Sequence, residues 1–202
     1  PYLCGYGQVP GRSDGPDSCN GIDFRNYRLD RIEAIAPLPW QATTVPDELY
    51  QQFWHNTLPT PEDIGQRIAD AWGFDYYQPA EVLVLRFDPE WDRRYIRNSL
   101  RHETFASISY AQVERLMDDQ LTTGELTVPQ HQALRTLLQS RPSTDAYYQA
   151  RYRRHDPNVR QRLRAWRPHG EVLLPWALRQ RMAEEVRQEA QFYHEDEDED
   201  DY

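Results

Sequence analysis

Three arginines, Arg25, Arg28 and Arg31, stand at i, i+3 and i+6 in the segment Phe24-Arg25-Asn26-Tyr27-Arg28-Leu29-Asp30-Arg31-Ile32, with Tyr2 and Tyr6 upstream. Guanidinium groups take phosphate or carboxylate through paired N–H donors, and tyrosine rings stack on bases. These residue types suit a grip on a single strand of nucleic acid, or on a nucleotide, with little reading of sequence. On a strand, period 2 puts Arg25 and Arg31 on one face and Arg28 on the other, so all three meet one ligand only if the strand bends or twists. The same residues allow a structural role instead, in which Asp30 pairs with a neighbouring arginine and the tyrosines complete the wall of a barrel. A second group, Arg151, Arg153 and Arg154 with Arg160, Arg162 and Arg164 beyond, surrounds Tyr147, Tyr148 and Tyr152. It reads either as a secondary basic face for nucleic acid or as a solvated surface that meets acids elsewhere in the chain.

Other chemistries lack their residues. His102, His131, His155 and His169 form no i, i+4 pair, and Cys4 and Cys19 form no CxxC motif, so no metal site is expected. No GxSxG, HExxH or phosphate-cradling glycine loop occurs; Asp88 and Glu90 flank a proline at a helix start, where acids serve the helix dipole. The chain therefore reads as a non-enzyme without a cofactor. Two cysteines with no disulfide framework point to reduced thiols and a cytoplasmic setting.

The composition, 39% hydrophobic and 28% charged over 202 residues with a mean hydropathy of −0.91, describes a polar globular chain with room for two small domains. No apolar run approaches the ~18 residues of a membrane span, and Pro1–Tyr6 has no charged n-region or h-region of a signal peptide. The formal charge is −10, yet Glu195–Asp201 is an unbroken run of seven acids; without it 23 basic residues face 26 acidic ones. Every basic residue is Arg. The tail, residues 194–202, reads as a solvated, disordered end or as a decoy that competes with nucleic acid for a basic face.

These residues need elements to position them. Tyr2–Tyr6 predicts a short strand, Gln8–Gly21 a long hairpin loop with Pro10, Gly11, Gly15 and Pro16, and Phe24–Ile35 an alternating second strand. Two strands are not stable alone, which predicts partner strands before Pro1. Thr60-Pro61-Glu62-Asp63 opens a bridging helix through Ile64, Ile68 and Trp72 to Gly73. Val82–Phe87 predicts a buried strand, Pro89–Leu100 a helix, and Phe105–Ser109 a second strand. The pairs Ser109/Gln112 and Thr127/Gln130 cap two inserted helices. Ala146–Arg153 is a candidate strand, Val159–Trp166 a helix, Glu171–Leu174 a last strand, and Pro175 begins a closing helix with Leu178, Met182, Val186, Ala190 and Tyr193 on one stripe. The order β-α-β, insertion, β-α-β-α predicts an α+β chain whose second part is a ferredoxin-like sandwich with a helical insertion at about 109–142.

The segment Pro1-Tyr2-Leu3-Cys4-Gly5-Tyr6, followed by Arg25-Asn26-Tyr27-Arg28-Leu29-Asp30-Arg31-Ile32, resembles the WYL domain, whose signature is Trp-Tyr-Leu on one strand and Arg-x-Phe-Arg-Leu-Asp-Arg-Ile on the next. Pro1 replaces the Trp and Tyr27 the Phe. The remainder, from Val82–Phe87 to Glu171-Val172-Leu173-Leu174-Pro175-Trp176, is similar to the C-terminal extension of WYL proteins, most closely those encoded beside CRISPR arrays in cyanobacteria. The resemblance implies the last strands of a small Sm-like or SH3-like β-barrel over residues 1–58, a bridging helix over 59–80 and the extension over 81–193. It also implies a transcriptional regulator that senses single-stranded nucleic acid or a nucleotide through Arg28, Tyr2, Arg25 and Arg31. An upstream winged helix-turn-helix would contact DNA, and the protein would be a homodimer. The rival expectation is a ligand-independent interaction or dimerisation module.

Overall fold

The computed structural model describes residues 2–8, 21–42, 44–73, 76 and 78–193. It is a mixed α+β chain with two antiparallel sheets, and it divides into two compact units, Pro1–Pro79 and Ala80–Tyr202. Among the described residues no sheet closes into a barrel, and no helix is long and apolar enough to cross a membrane. The acidic tail, Cys19 and most of the hairpin loop lie outside the described residues.

In the first unit, β1 (Tyr2–Gln8) pairs antiparallel with β2 (Ile22–Arg28), in register from Tyr2 opposite Arg28 to Gln8 opposite Ile22. Alternation decides which side is covered. Ile22 and Phe24 are buried, and the Phe24 ring meets Tyr6 at 4.9 Å and buried Tyr76 at 5.8 Å. The second strand is shorter than its sequence pattern suggests: it ends at Arg28 rather than Ile35, and Leu29–Arg31 form a 3-10 turn. Beyond Tyr2, Arg28's partner, β2 has no strand to pair with among the described residues, and the turn satisfies the chain locally through Ile32 N–H donating to Leu29 C=O.

Two helices follow, α1 (Asp47–Trp54) and α2 (Pro61–Ala69). Thr60 caps α2 as its sequence demands: its hydroxyl accepts from Asp63 N–H at 3.2 Å while the Asp63 carboxylate accepts from Thr60 N–H at 2.8 Å. The helix stops at Ala69, short of Gly73, and Trp72 is buried from the loop after it.

The second unit is built on a four-stranded antiparallel sheet of β3 (Ala80–Phe87), β4 (Ala106–Ile108), β5 (Ala146–Arg153) and β6 (Gly170–Leu174), in the order β4-β5-β3-β6. After β3 comes α3 (Pro89–Trp91), a single turn capped by Asp88, which runs into a π-helical turn at Asp92–Ile96. This replaces the longer helix predicted to Leu100. Between β4 and β5 stand α4 (Tyr110–Thr122) and α5 (Val128–Gln139), each started by the Ser/Gln or Thr/Gln pair visible in the sequence. Helix α6 (Pro157–Ala165) joins β5 to β6, and α7 (Trp176–Gln191) closes the chain.

Both faces of this sheet are covered, which is why Val82–Leu85 is continuously apolar rather than alternating. Val84, Tyr147 and Leu174 pack on one side with Val113 and Met117 of α4 and Leu134 and Leu138 of α5. On the other side Phe87 meets Tyr148 at 5.9 Å and Trp166, at the end of α6, at 5.4 Å. A Cβ at Gly170 would sit 2.9 Å from the Phe87 ring and 3.2 Å from Trp166 Cβ, so this packing requires glycine there.

Candidate functional site

The β1–β2 hairpin brings together part of what the sequence singles out. Arg25 and Tyr27 share its outward face because they are two apart on β2, and the Arg25 guanidinium lies 6.0 Å from the centre of the Tyr27 ring. Leu3, paired with Tyr27, and Gly5, paired with Arg25, complete that face. The missing side chain at Gly5 matters: the Tyr27 ring lies where a Cβ would come within 3.3 Å. Tyr27 is 40% and Leu3 44% exposed. Tyr6 is instead half-buried against Phe24, so among the described side chains of the hairpin the exposed ring is Tyr27, which reading by residue type alone passes over. The signal was its parity with Arg25.

Arg28 is on the opposite face, at the end of β2, directly across from Tyr2. Its fork is engaged: Nε donates to one oxygen of the Asp30 carboxylate at 3.0 Å and Nη2 to the other at 2.6 Å, with both side chains about half exposed. This is the structural pairing the sequence left open. The side chain of Tyr2 lies outside the described residues. Arg31 is exposed in the 3-10 turn and not on the strand, so the expected sharing of a face by Arg25 and Arg31 is overturned. Its cause is the early end of β2.

The second arginine group is not a single solvated face. Arg153 is buried, at 6% exposure, whereas Arg151 on the same strand is exposed. Glu81, across from Tyr152 on β3, accepts from the Tyr152 hydroxyl at 2.6 Å and from Arg154 Nε at 2.7 Å. Burial, reinforced by this carboxylate, raises the Tyr152 pKa and keeps the phenol a donor. Arg164 forks onto Glu185, at 2.9 and 2.8 Å. Acids from elsewhere in the unit thus pair with two arginines of this group, Arg154 and Arg164.

One buried polar group went unnoticed in the sequence. The Asp92 carboxylate, 1% exposed at the start of the π-helical turn, accepts from the Tyr148 hydroxyl at 2.6 Å and from Arg97 Nε and Nη2 at 3.0 and 2.9 Å. Burial and then Asp92 raise the Tyr148 pKa. Every oxygen of Asp92 is partnered, as a buried charge requires. Nothing in its local sequence distinguishes it from the neighbouring helix-start acids Asp88 and Glu90.

Comparison of the chain with protein-family models, with curated proteins and with solved structures finds no significant match to any of them.

Proposed function

We propose that the chain is the sensing and extension part of a WYL-type transcriptional regulator, in which the β1–β2 hairpin binds single-stranded nucleic acid or a nucleotide. The observation that carries this reading is the outward face of the hairpin, where the Arg25 guanidinium stands over the exposed Tyr27 ring beside Leu3. A ring and a cation held together on an open strand surface offer a base something to stack on and its phosphate a partner. Arg28 lies on the opposite face but at the exposed end of the same strand, and supplies a second phosphate contact to a ligand that passes over that end, when it exchanges Asp30 for the ligand. In this reading Tyr2 and Arg31 border the site, β1 and β2 are strands of a small Sm-like or SH3-like barrel, and an upstream domain carries the DNA contact. A cytoplasmic, CRISPR-associated homodimer that performs no catalysis completes the proposal.

The second unit, in the same reading, is a ferredoxin-like sandwich. Its support is the order β4-β5-β3-β6 with antiparallel neighbours, in which β3 separates the ends of one β-α-β crossover and β5 those of the other, while α4 and α5 interrupt the β4–β5 hairpin.

A ligand-independent interaction module is favoured by a different observation. The apolar stripe of α7 continues past its buried part, leaving Val186 46% and Tyr193 79% exposed. Fluorescence anisotropy of single-stranded RNA, single-stranded DNA and duplex DNA over a salt series separates the two readings. Salt-dependent binding of single strands that Arg25→Ala and Tyr27→Ala both weaken supports the sensor. Absence of binding in the folded protein, with self-association in sedimentation, supports the module.

A further inference from the structure

An open groove of about 1130 Å³ runs along α7 in the second unit, between that helix and the segment joining α6 to β6. Its volume lies just above the ~300–1,000 Å³ common for small-ligand sites. The floor is apolar, with Leu163, Val172 and Met182, and the wall continues outward through Val186.

One end of this groove holds an unbalanced cluster of charge. Three guanidinium groups converge on the Glu171 carboxylate: Arg141 through Nε at 2.9 Å and Nη2 at 3.2 Å, Arg179 through Nη1 at 3.0 Å, and Arg86 through Nη1 at 3.3 Å. Arg86 also pairs with buried Asp145 at 2.5 Å. Three cations therefore meet two carboxylates, leaving one positive charge in excess. Nη1 of Arg141, and Nε and Nη2 of Arg179, donate to nothing among the described residues. Glu171 fixes these guanidinium planes in place, so the remaining donors are already oriented when a ligand arrives.

Further along, the charges cancel. Arg164 and Arg167 face Glu185, and Arg167 also meets Glu189 at 2.8 Å. A polyanion laid along the groove would meet these two glutamates, whereas a single anionic head at the Arg141 end would not. We propose that the groove binds an amphipathic anion, its carboxylate or phosphate head on the free N–H groups of Arg141 and Arg179 and its apolar body along Val172, Met182 and Val186. The site lies wholly in the second unit and stands independently of the hairpin reading.

Calorimetric titration of the full chain with decanoate, decyl phosphate and uncharged decanol tests the proposal. One molar equivalent of decanoate or decyl phosphate binds, the tighter of the two naming the head group, and decanol binds about tenfold more weakly or worse. Arg141→Gln weakens the anion about tenfold while leaving decanol unchanged, and Val186→Asp, at a position outside the core, weakens all three. Circular dichroism establishes that both variants are folded. Failure of both anions to bind, equal affinity for decanol, or insensitivity to both substitutions overturns the proposal. So does displacement of decanoate by a single-stranded oligonucleotide in wild type but not in Arg141→Gln, or a self-associating wild type that Val186→Asp turns into a monomer.

Discussion

At the scale of single residues, the functional question is which arginines are available to a ligand. Arg28 is bound to Asp30 through two hydrogen bonds in an exposed setting, where an ion pair contributes only about 0–1 kcal/mol, so a phosphate can displace the carboxylate at little cost. Asp30→Asn is therefore predicted to tighten single-strand binding several-fold, measured by anisotropy at fixed salt, whereas a purely structural Arg28 would show no gain. The Tyr148–Asp92 pair behaves in the opposite way because it is buried. Tyr148→Phe leaves a buried carboxylate oxygen without its donor and is predicted to cost about 1–3 kcal/mol in urea unfolding. Glu171 adds a pH dependence. Burial opposes its ionisation, but the hydrogen bond from Arg141 and the charges of Arg179 and Arg141 outweigh it, and the carboxyl titrates below its ordinary value of 4.5. A folded pKa below the unfolded one stabilises the protein above that ordinary value, and the benefit is lost as pH falls through the folded pKa. Urea midpoints are thus predicted to drop below about pH 4.5, and less steeply in Glu171→Gln.

At the scale of elements, what was legible in the sequence was what is locally determined. The caps at Thr60, Ser109 and Thr127 fix helix starts through contacts within three residues, and β5 and β6 match the expected segments Ala146–Arg153 and Glu171–Leu174 to within a residue. The failures share a cause: a pattern within one segment does not reveal the extent of its partner. Alternation from Phe24 to Ile35 continues past Arg28, the last residue of β2 paired with β1 among the described residues. The stripe of α7 continues past Met182, where burial ends. Likewise the parity of Arg25 and Tyr27 was readable, but not that Tyr6 would be covered by Phe24, nor that Arg154 would find Glu81 across the sheet. The α7 boundary is measurable: Met182→Ala is predicted to cost ~2–5 kcal/mol and Val186→Ala less than about 0.5 kcal/mol in urea denaturation.

At the scale of the whole molecule, the arginines do not sum to a basic field. Outside the acidic run, 23 arginines stand against 26 acids, and in the second unit Arg86, Arg141, Arg154, Arg164, Arg167 and Arg179 are drawn into pairs with Glu81, Glu171 or Glu185. In the proposed reading the chain engages nucleic acid through a few placed contacts rather than through a broad positive surface, and the salt dependence of binding would report how many. If Arg25 and Arg28 are the phosphate contacts of the hairpin, the slope of log K against log salt for a short single strand is about −1.4, from ~0.7 per neutralised phosphate. The decisive measurement is that slope, by fluorescence anisotropy, for the wild-type chain and for Arg28→Ala. The hairpin account predicts a fall in slope of about 0.7 on losing Arg28, with weaker binding in a protein that remains folded. An unchanged slope and affinity would contradict it.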